Sequence, residues 1–160
     1  MKLLPDTSRI IEKFIQTRVK EAGAEGVVLG LSGGIDSATT MALAASSLGS
    51  DNVLGLIMPF HDSESITLAS NHAQSLGVKT KKYNISSIIN SFKEVTESYS
   101  SKASEGNLHS RVRMSLLYGE AFSSNSLVIG TSNKSELLVG YYTKWGDGAS
   151  DFLPMGDLYK

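Results

Sequence analysis

Short apolar runs alternate with helical patterns along the chain, and this alternation most limits the folds open to it. The apolar runs are VVLGL (27–31), VLGLIM (53–58) and LVIG (127–130), and a more polar run, VKTKKYNI (78–85), is expected near a sheet edge. Apolar runs of this length without alternation are typical of strands buried on both faces. Strands that alternate with helices imply right-handed crossovers, so we expect an α/β fold, a doubly wound parallel sheet with helices on both faces.

The helical patterns lie between and around these strands. They predict helices over 7–22, 36–48, 63–76 and 108–122, and a short one over 133–139. The side chains expected to point inward are Ile10, Ile11, Phe14, Ile15 and Val19 on the first helix, and Val112, Leu116 and Phe122 on the fourth. Residues 86–106 are serine-rich and weakly periodic, and SYSSKASEGN within them predicts a mobile loop. We expect one domain over residues 1–160.

Composition narrows the classes of function. Hydrophobic residues make up 41% and charged residues 19% of the chain, which is ordinary for a globular protein. The net charge of −1 provides no basic field for nucleic acid. The absence of cysteine excludes disulfides, thiolate metal sites and a cysteine nucleophile. Neither a signal-peptide core nor a membrane-length apolar run occurs, so we expect a cytoplasmic protein without membrane contact.

The segment GLSGGIDS (30–37) joins the first strand to a helix and admits several interpretations. It lacks the lysine of a Walker phosphate loop and the G-x-G-x-x-G pattern of a dinucleotide fold. It does match the G-x-S-x-G nucleophile elbow, which would make Ser32 the nucleophile of a serine hydrolase. That chemistry needs a later acid and histidine, and none of His61, His72 and His109 stands in an obviously suitable late loop.

A second interpretation of the segment is a pyrophosphate cradle. Gly33 and Gly34 allow a sharp turn that aims N–H groups at an anion, and Ser32 and Ser37 add hydroxyl donors. The N-terminus of the following helix contributes partial positive charge. Asp36 would repel a phosphate unless a cation lies between them, and Mg²⁺ is the usual cation in that position. A plain Gly-Gly turn with an aspartate at a helix start fits the spacing equally well.

Longer segments carry a family resemblance. SGGIDS resembles the signature of the PP-loop, or N-type, ATP pyrophosphatases, whose fold is Rossmann-like and of the adenine nucleotide α-hydrolase type. GNLHSRVRM (106–114), GTSNKSE (130–136) and GYYTKWGDGASDFLPMGDLYK (140–160) resemble the NAD synthetases. The resemblance covers essentially the whole chain.

This resemblance implies a reaction. NAD synthetases amidate deamido-NAD to NAD: ATP converts the nicotinate carboxylate to an acyl-adenylate with release of pyrophosphate, and ammonia then displaces AMP. It implies ATP as co-substrate, Mg²⁺ as cofactor and a homodimer. Met1 is followed at once by the synthetase pattern, so we expect ammonia as the nitrogen donor. No protein nucleophile is implied, because positioning and charge neutralisation carry this chemistry.

The resemblance also implies roles for individual residues. The implied ATP contacts are Gly30, Leu31, Ser32, Gly33, Gly34, Ile35, Asp36, Ser37, Thr131 and Lys160. The implied deamido-NAD contacts are Arg111, Lys144 and Asp151, and the implied Mg²⁺ ligands are Asp36 and Glu136. Each has a simpler explanation from its residue type alone. Arginine and lysine are usually solvated surface residues, acidic residues are common in first helical turns and in turns, and aromatics such as Tyr141, Tyr142 and Trp145 usually pack.

Two departures from the family pattern stand out, and other functions stay open. Ser110 occupies a position where the family usually has alanine, and we expect a small residue facing a neighbouring helix. Family members continue beyond the GDLYK motif, so we expect the chain to lack a C-terminal part. The alternatives to an NAD synthetase are another PP-loop enzyme such as a GMP synthetase-like one, the serine hydrolase with Ser32, and a protein that binds ATP without turnover.

Overall fold

A computed structural model describes residues 5–160 as alternating strands and helices. The strands are β1 (Gly26–Gly30), β2 (Val53–Ile57), β3 (Lys79–Lys82) and β4 (Ser126–Val128). The helices are α1 (Thr7–Glu21), α2 (Ile35–Leu48), α3 (Glu64–Ser75), α4 (Ser86–Val95), α5 (Lys102–Ser123) and α6 (Lys134–Val139). Single 3₁₀ turns lie at Ser50–Asn52, Glu97–Tyr99 and Asp147–Ala149.

The four strands form one parallel sheet in the order β3-β2-β1-β4. Val27 at the centre pairs with Val53 on one side and Leu127 on the other. The chain moves outward from β1 to β3 and then returns to the opposite side of β1 for β4. The order of the strands therefore reverses between β1 and β4, and in such sheets this reversal opens a crevice at the carboxyl ends.

Helices cover both faces of the sheet, and alternate residues of β1 point into each layer. Val27 and Leu29 pack with α1, α2 and α3, whereas Val28 packs with α4 and α5. All three side chains are fully buried, as expected for a strand covered on both faces. The predicted α/β fold with a doubly wound parallel sheet is confirmed. The polar strand β3 lies at the edge, as predicted, and all of its residues are exposed.

The prediction of a mobile loop within residues 86–106 is wrong. Residues 86–95 form α4, and α5 begins at Lys102 instead of near residue 108. Ser101 caps α5 by accepting a hydrogen bond from the N–H of Ser104 at 3.2 Å. The serine-rich composition argued against helices because serine side chains compete for backbone hydrogen bonds. Within α4, however, Ser91 Oγ donates to the carbonyl oxygen of Ser87, one turn back, at 3.0 Å.

Two predictions of inward-facing side chains are also wrong. Ile10 on α1 and Phe122 on α5 are exposed, the latter by 92%. Ala121 takes the buried position in the last turn of α5 instead. Phe122 lies about 100° further around the helix, so its ring points to solvent. Among residues 5–160, no helix is long and apolar enough to cross a membrane.

Candidate functional site

A cleft of about 1020 Å³ opens at the carboxyl ends of the strands. Its floor is formed by residues at the ends of β1, β2 and β4, including Gly30, Met58 and Gly130. One wall is the side of α5 that carries Ser110 and Arg113. The cleft therefore opens where the segments GLSGGIDS (30–37) and GTSNKSE (130–136) begin. The predicted contacts Gly30, Leu31, Ser32 and Thr131 line it directly.

The turn between β1 and α2 is fixed by its own residues. Gly33 has φ of +79°, and a Cβ there would lie 2.4 Å from the carbonyl oxygen of Ser65, so only glycine fits. Ser32 Oγ accepts from the N–H of Gly34 at 3.2 Å and lies 3.2 Å from Ser37 Oγ. Gly34 precedes α2 without a side-chain cap, so first-turn N–H groups of α2 remain available to an anion.

Two carboxylates from different strand ends meet through one asparagine. Asn133 Nδ2 donates to Asp36 Oδ1 at 3.2 Å, and the N–H of Asn133 donates to Glu136 Oε2 at 3.1 Å. Asn133 Oδ1 in return accepts from the N–H of Glu136, which completes a capping box at the start of α6. Asn133 is 2% exposed, so the link is held inside the fold.

Lys160 lies beside both carboxylates. Its Nζ donates to Asp36 Oδ2 at 2.8 Å, and its backbone N–H donates to Ser135 Oγ at 3.2 Å. The hydrogen bond that Lys160 donates to Asp36 is the main cause that raises the pKa of Lys160, and the charges of Asp36 and Glu136 add to it. The ammonium therefore stays protonated at neutral pH, next to two anionic groups.

The donor set of this polar cluster fits a hard divalent cation that is shared with a ligand. Asp36 and Glu136 supply carboxylate oxygens, the atoms that Mg²⁺ prefers. Within residues 5–160, no group of three or more acidic or histidine side chains could enclose a metal ion. A cation here would therefore take its remaining ligands from phosphate oxygens and water, as magnesium commonly does.

Two further predicted residues, Arg111 and Lys144, contact each other beside the cleft, although neither is among the residues that line it. The Nε of Arg111 on α5 donates to the carbonyl oxygen of Lys144 at 3.2 Å. The ammonium of Lys144 lies 5.6 Å from the centroid of the Trp145 ring. Tyr141 and Trp145 are largely exposed, so these aromatics do not pack in the core. Arginine, lysine and exposed rings together suit a ligand with phosphate groups and flat bases.

Asp151, the third residue implied to contact deamido-NAD, bonds to β4 and to Tyr118 on α5. Its Oδ2 accepts from the N–H of Val128 on β4 at 2.7 Å, and its Oδ1 accepts from the hydroxyl of Tyr118 at 3.0 Å. Burial first, and the hydrogen bond and charge of Asp151 second, raise the pKa of Tyr118 to about 12. Within the described chain, no hydrogen bond or ion pair joins Asp151 to Arg111 or Lys144.

Comparison with known proteins identifies the family. A family model described as NAD synthase matches residues 7–160. The chain belongs to the NAD synthase family.

Individual members of the family are close in sequence and structure. The "NH(3)-dependent NAD(+) synthetase" of Thermococcus sibiricus is 48% identical over 158 residues, which cover 97% of this chain and 62% of that relative. An NH3-dependent NAD synthetase from Campylobacter jejuni, solved with a nitrate ion, is 44% identical with a TM-score of 0.93, covering 97% of this chain and 68% of that one. An NMN synthetase from Francisella tularensis is 33% identical with a TM-score of 0.91, covering 98% of this chain and 66% of that one. The chain thus spans less than two thirds of the first of these relatives.

Membership of the NAD synthase family confirms the resemblance drawn from the sequence motifs.

Three residues of the site were not recognised as such from the sequence. Asn133 was detectable, because an asparagine followed three residues later by glutamate is a capping-box pattern. Arg113 lines the cleft and donates from Nε to the carbonyl oxygen of Met58 at 3.0 Å, and burial lowers its pKa. Ser110 was expected to be a small residue facing a neighbouring helix, and it instead donates to Asp147 in the glycine-rich segment.

The geometry of this family member does not assemble a serine hydrolase. Ser32 Oγ contacts Ser37 and the N–H of Gly34, and no histidine of residues 5–160 bonds it. His72 Nε2 pairs with the carbonyl oxygen of Ala38 at 3.2 Å. The rings of His61 and His109 lie against Phe60 instead, at centroid distances of 4.2 and 4.5 Å. Without a base, Ser32 stabilises the turn through its hydrogen bonds with Gly34 and Ser37.

Proposed function

We propose that this chain carries the catalytic centre for ATP-dependent amidation of deamido-NAD to NAD, with ammonia as the nitrogen donor. The observation that carries the proposal is the joining of Asp36 and Glu136 through Asn133, next to a glycine turn and the ammonium of Lys160. A serine hydrolase has no need of two carboxylates held beside a glycine turn, whereas an ATP site that holds Mg²⁺ uses such a pair. The printed names of the relatives, NH(3)-dependent NAD(+) synthetases, support the same reaction.

The residues around β1 and β4 would hold ATP. The turn at 30–37 would place its N–H and hydroxyl groups on the pyrophosphate portion. Thr131 lines the cleft and would add a contact from the end of β4. Asp36 and Glu136 would hold Mg²⁺, which supplies charge neutralisation on the leaving pyrophosphate. Lys160 would then donate to phosphate oxygens in place of Asp36.

Arg111 and Lys144 would hold deamido-NAD where α5 meets the segment after Gly140. Arg111 donates from Nε to the carbonyl oxygen of Lys144, which leaves its terminal N–H groups for a phosphate of the dinucleotide. With both substrates bound, a nicotinate carboxylate oxygen attacks the α-phosphorus and the bond to the β-phosphate oxygen breaks, releasing pyrophosphate. Ammonia then attacks the acyl carbon, the bond to AMP breaks and the nitrogen loses a proton. Orientation alone supplies a large share of such rate enhancements.

A deamidated mononucleotide is the second candidate substrate. The similarity to an NMN synthetase favours it, because that relative shares the fold over almost the whole of this chain. The identity to the NAD synthetases is higher, and the exposed aromatics beside Lys144 offer surface for a second base. We therefore give the dinucleotide precedence. Xanthosine monophosphate, the substrate of a GMP synthetase-like enzyme, is the third compound to test.

A product assay tests the proposal. The 160-residue chain is incubated with ATP, Mg²⁺, an ammonium salt and deamido-NAD, the deamidated mononucleotide or xanthosine monophosphate, and the nucleotides are separated. We expect NAD and AMP in equal amounts from the dinucleotide, and neither product with Asp36→Ala. Asp51→Ala is the matched control, because Asp51 forms only an exposed ion pair with Lys79 at 3.2 Å. Faster turnover of either other substrate would reject the assignment.

We further propose a cytoplasmic homodimer. Large apolar side chains that stay exposed, including Val95, Phe122 and Val139, support a subunit contact. Light scattering at working concentration should give twice the monomer mass of 17.1 kDa. A monomer at that concentration would reject the dimer.

A further inference from the structure

The segment Thr143–Asp147, here called the clamp loop, holds a strained conformation over the cleft. Trp145 has φ of +63°, in the left-handed region that non-glycine residues rarely adopt. Such a conformation costs of the order of 1 kcal/mol and persists only where surrounding contacts fix it. The contacts that fix the clamp loop therefore decide whether its side chains are in place before a ligand arrives.

A reciprocal pair of hydrogen bonds ties the clamp loop to α5. Ser110 Oγ donates to Asp147 Oδ1 at 2.6 Å, and the N–H of Asp147 donates back to Ser110 Oγ at 2.9 Å. Asp147 Oδ1 also accepts from the N–H of Thr143 at 2.9 Å, which closes the loop on itself. The approach is close, since a Cβ on Gly146 would lie 2.4 Å from Ser110 Oγ.

Two neighbours of Ser110 on α5 also contact the clamp loop. Thr143 Oγ1 donates to Asn107 Oδ1 at 2.8 Å, and Arg111 Nε donates to the carbonyl oxygen of Lys144 at 3.2 Å. Asn107, Ser110 and Arg111 follow the i, i+3, i+4 spacing, so they share one face of the helix. Only Ser110 contacts both the side chain and the backbone of its partner. It is the centre of this set of contacts.

We propose that Ser110 is a positioning residue that preforms the clamp loop for deamido-NAD. The proposal rests on the proposed function, because it assigns the clamp loop to the dinucleotide side of the cleft. A loop fixed in advance loses little conformational entropy on binding, so its contacts appear fully in the affinity. ATP binding does not depend on Ser110, because the residues assigned to ATP make no hydrogen bond with the clamp loop.

The test compares Ser110→Ala with Ser123→Ala in the 160-residue chain. Ser123 lies on the same helix and loses only a 2.9 Å bond to the carbonyl of Gly119. Amide hydrogen exchange of residues 143–147 is measured without ligand, and the dissociation constants of deamido-NAD and of ATP with Mg²⁺ are measured by calorimetry. For Ser110→Ala we expect faster exchange, about 5- to 30-fold weaker deamido-NAD binding and ATP binding unchanged within about twofold. Ser123→Ala should match the parent chain.

A second variant and three outcomes decide the proposal. Asp147→Asn keeps the backbone N–H but weakens both bonds to Oδ1, so its deamido-NAD affinity should fall between the parent chain and Ser110→Ala. Unchanged loop exchange in Ser110→Ala overturns the proposal. Equal losses of deamido-NAD and ATP affinity also overturn it, since they indicate general destabilisation. If the parent chain binds no deamido-NAD, the proposed function fails and the substrate role of Ser110 fails with it, whatever the ligand-free exchange shows.

Discussion

The two sides of the cleft are held together over very different distances along the chain. On the side of the β1–α2 turn, Ser32 pairs with Ser37 and Asn133 pairs with Glu136, over separations of 5 and 3 residues. On the side of the clamp loop, the contacts join α5 to residues that lie 33 to 37 positions later. The turn side is therefore built from local motifs at strand ends, and the bonds from Asn133 and Lys160 to Asp36 then join these motifs across 97 and 124 residues. The clamp side has no such local motif and is formed only by docking of a loop on a helix.

This difference separates geometry that folds locally from geometry that depends on tertiary packing. A local turn has a small ordering cost, since few residues must come together. The clamp loop must bring distant residues into hydrogen-bond range, and it holds Trp145 in an unfavourable conformation. We expect substitutions on the turn side to weaken ATP binding, and substitutions on the clamp side to weaken deamido-NAD binding alone.

Replacement of Gly33 by alanine should have the largest effect. The φ of +79° and the 2.4 Å approach to the Ser65 carbonyl both oppose a Cβ, so we expect a loss of about 3 kcal/mol in the free energy of unfolding. ATP affinity should fall at least about tenfold, because the turn must shift. Urea unfolding and calorimetry measure the two quantities. Gly119→Ala is the control: a Cβ there has no neighbour within 4 Å, so stability should rise slightly. Equal stabilities for both variants would contradict this account of the turn.

Asn133→Ala should come next. It removes the capping box and the bond that orients Asp36, and we expect a loss of about 2 kcal/mol in stability. ATP affinity with Mg²⁺ should fall about tenfold, because residues that orient metal ligands commonly have effects of that size. Ser101→Ala is the control, because it removes the helix cap at the start of α5. It should lower the free energy of unfolding by about 1 kcal/mol without changing ATP affinity. If both variants bind ATP equally well, Asn133 has no part in the site.

Gly146→Ala tests the clamp side by steric means. A Cβ at residue 146 would lie 2.4 Å from Ser110 Oγ and would push the clamp loop away from α5. We expect deamido-NAD binding to weaken about 3- to 10-fold, because the loop must then be ordered during binding. ATP affinity, measured in the same calorimetric series, should stay within about twofold. A parallel loss of ATP affinity would show that the two sides are not separate.

The smallest effect concerns Tyr118 and pH. Its folded-state pKa of about 12 lies above the ordinary value of 10.0, so the neutral phenol is favoured in the folded chain. The associated stability is fully present below pH 10 and is lost as the pH rises toward 12. Asp151→Asn should lower the phenol pKa, because an anionic neighbour is removed, and should flatten the fall in stability over this window. Absorbance titration of tyrosinate checks the shift, and an unchanged titration would mean that Asp151 does not act on Tyr118.

The sequence pattern was sufficient for the sheet, and the family resemblance for the pairing of Asp36 with Glu136. Apolar runs of strand length define a parallel sheet, and the carboxyl ends of adjacent strands necessarily meet at one edge. Asn133 was within reach as well, because its capping-box spacing is local. The helix α4 was missed because serines interrupt its apolar pattern, although Ile89 is fully buried.

The clamp side could not be predicted in the same way. No local pattern pairs Ser110 with a residue 37 positions later, so the contact exists only once α5 and the clamp loop are docked. The same limit applies to Asp151, whose partner Val128 lies 23 positions earlier in the chain. Side-chain contacts that depend on tertiary packing require a structure.

The most direct test of the account is exchange of labelled pyrophosphate into ATP in the absence of ammonia. If the nicotinate carboxylate attacks the α-phosphorus, the first step is reversible and the label enters ATP only when deamido-NAD is present. We predict exchange that requires deamido-NAD and Mg²⁺ and that disappears in Asp36→Ala. Exchange that is independent of deamido-NAD, or release of ADP and phosphate instead, would contradict adenylation at this site.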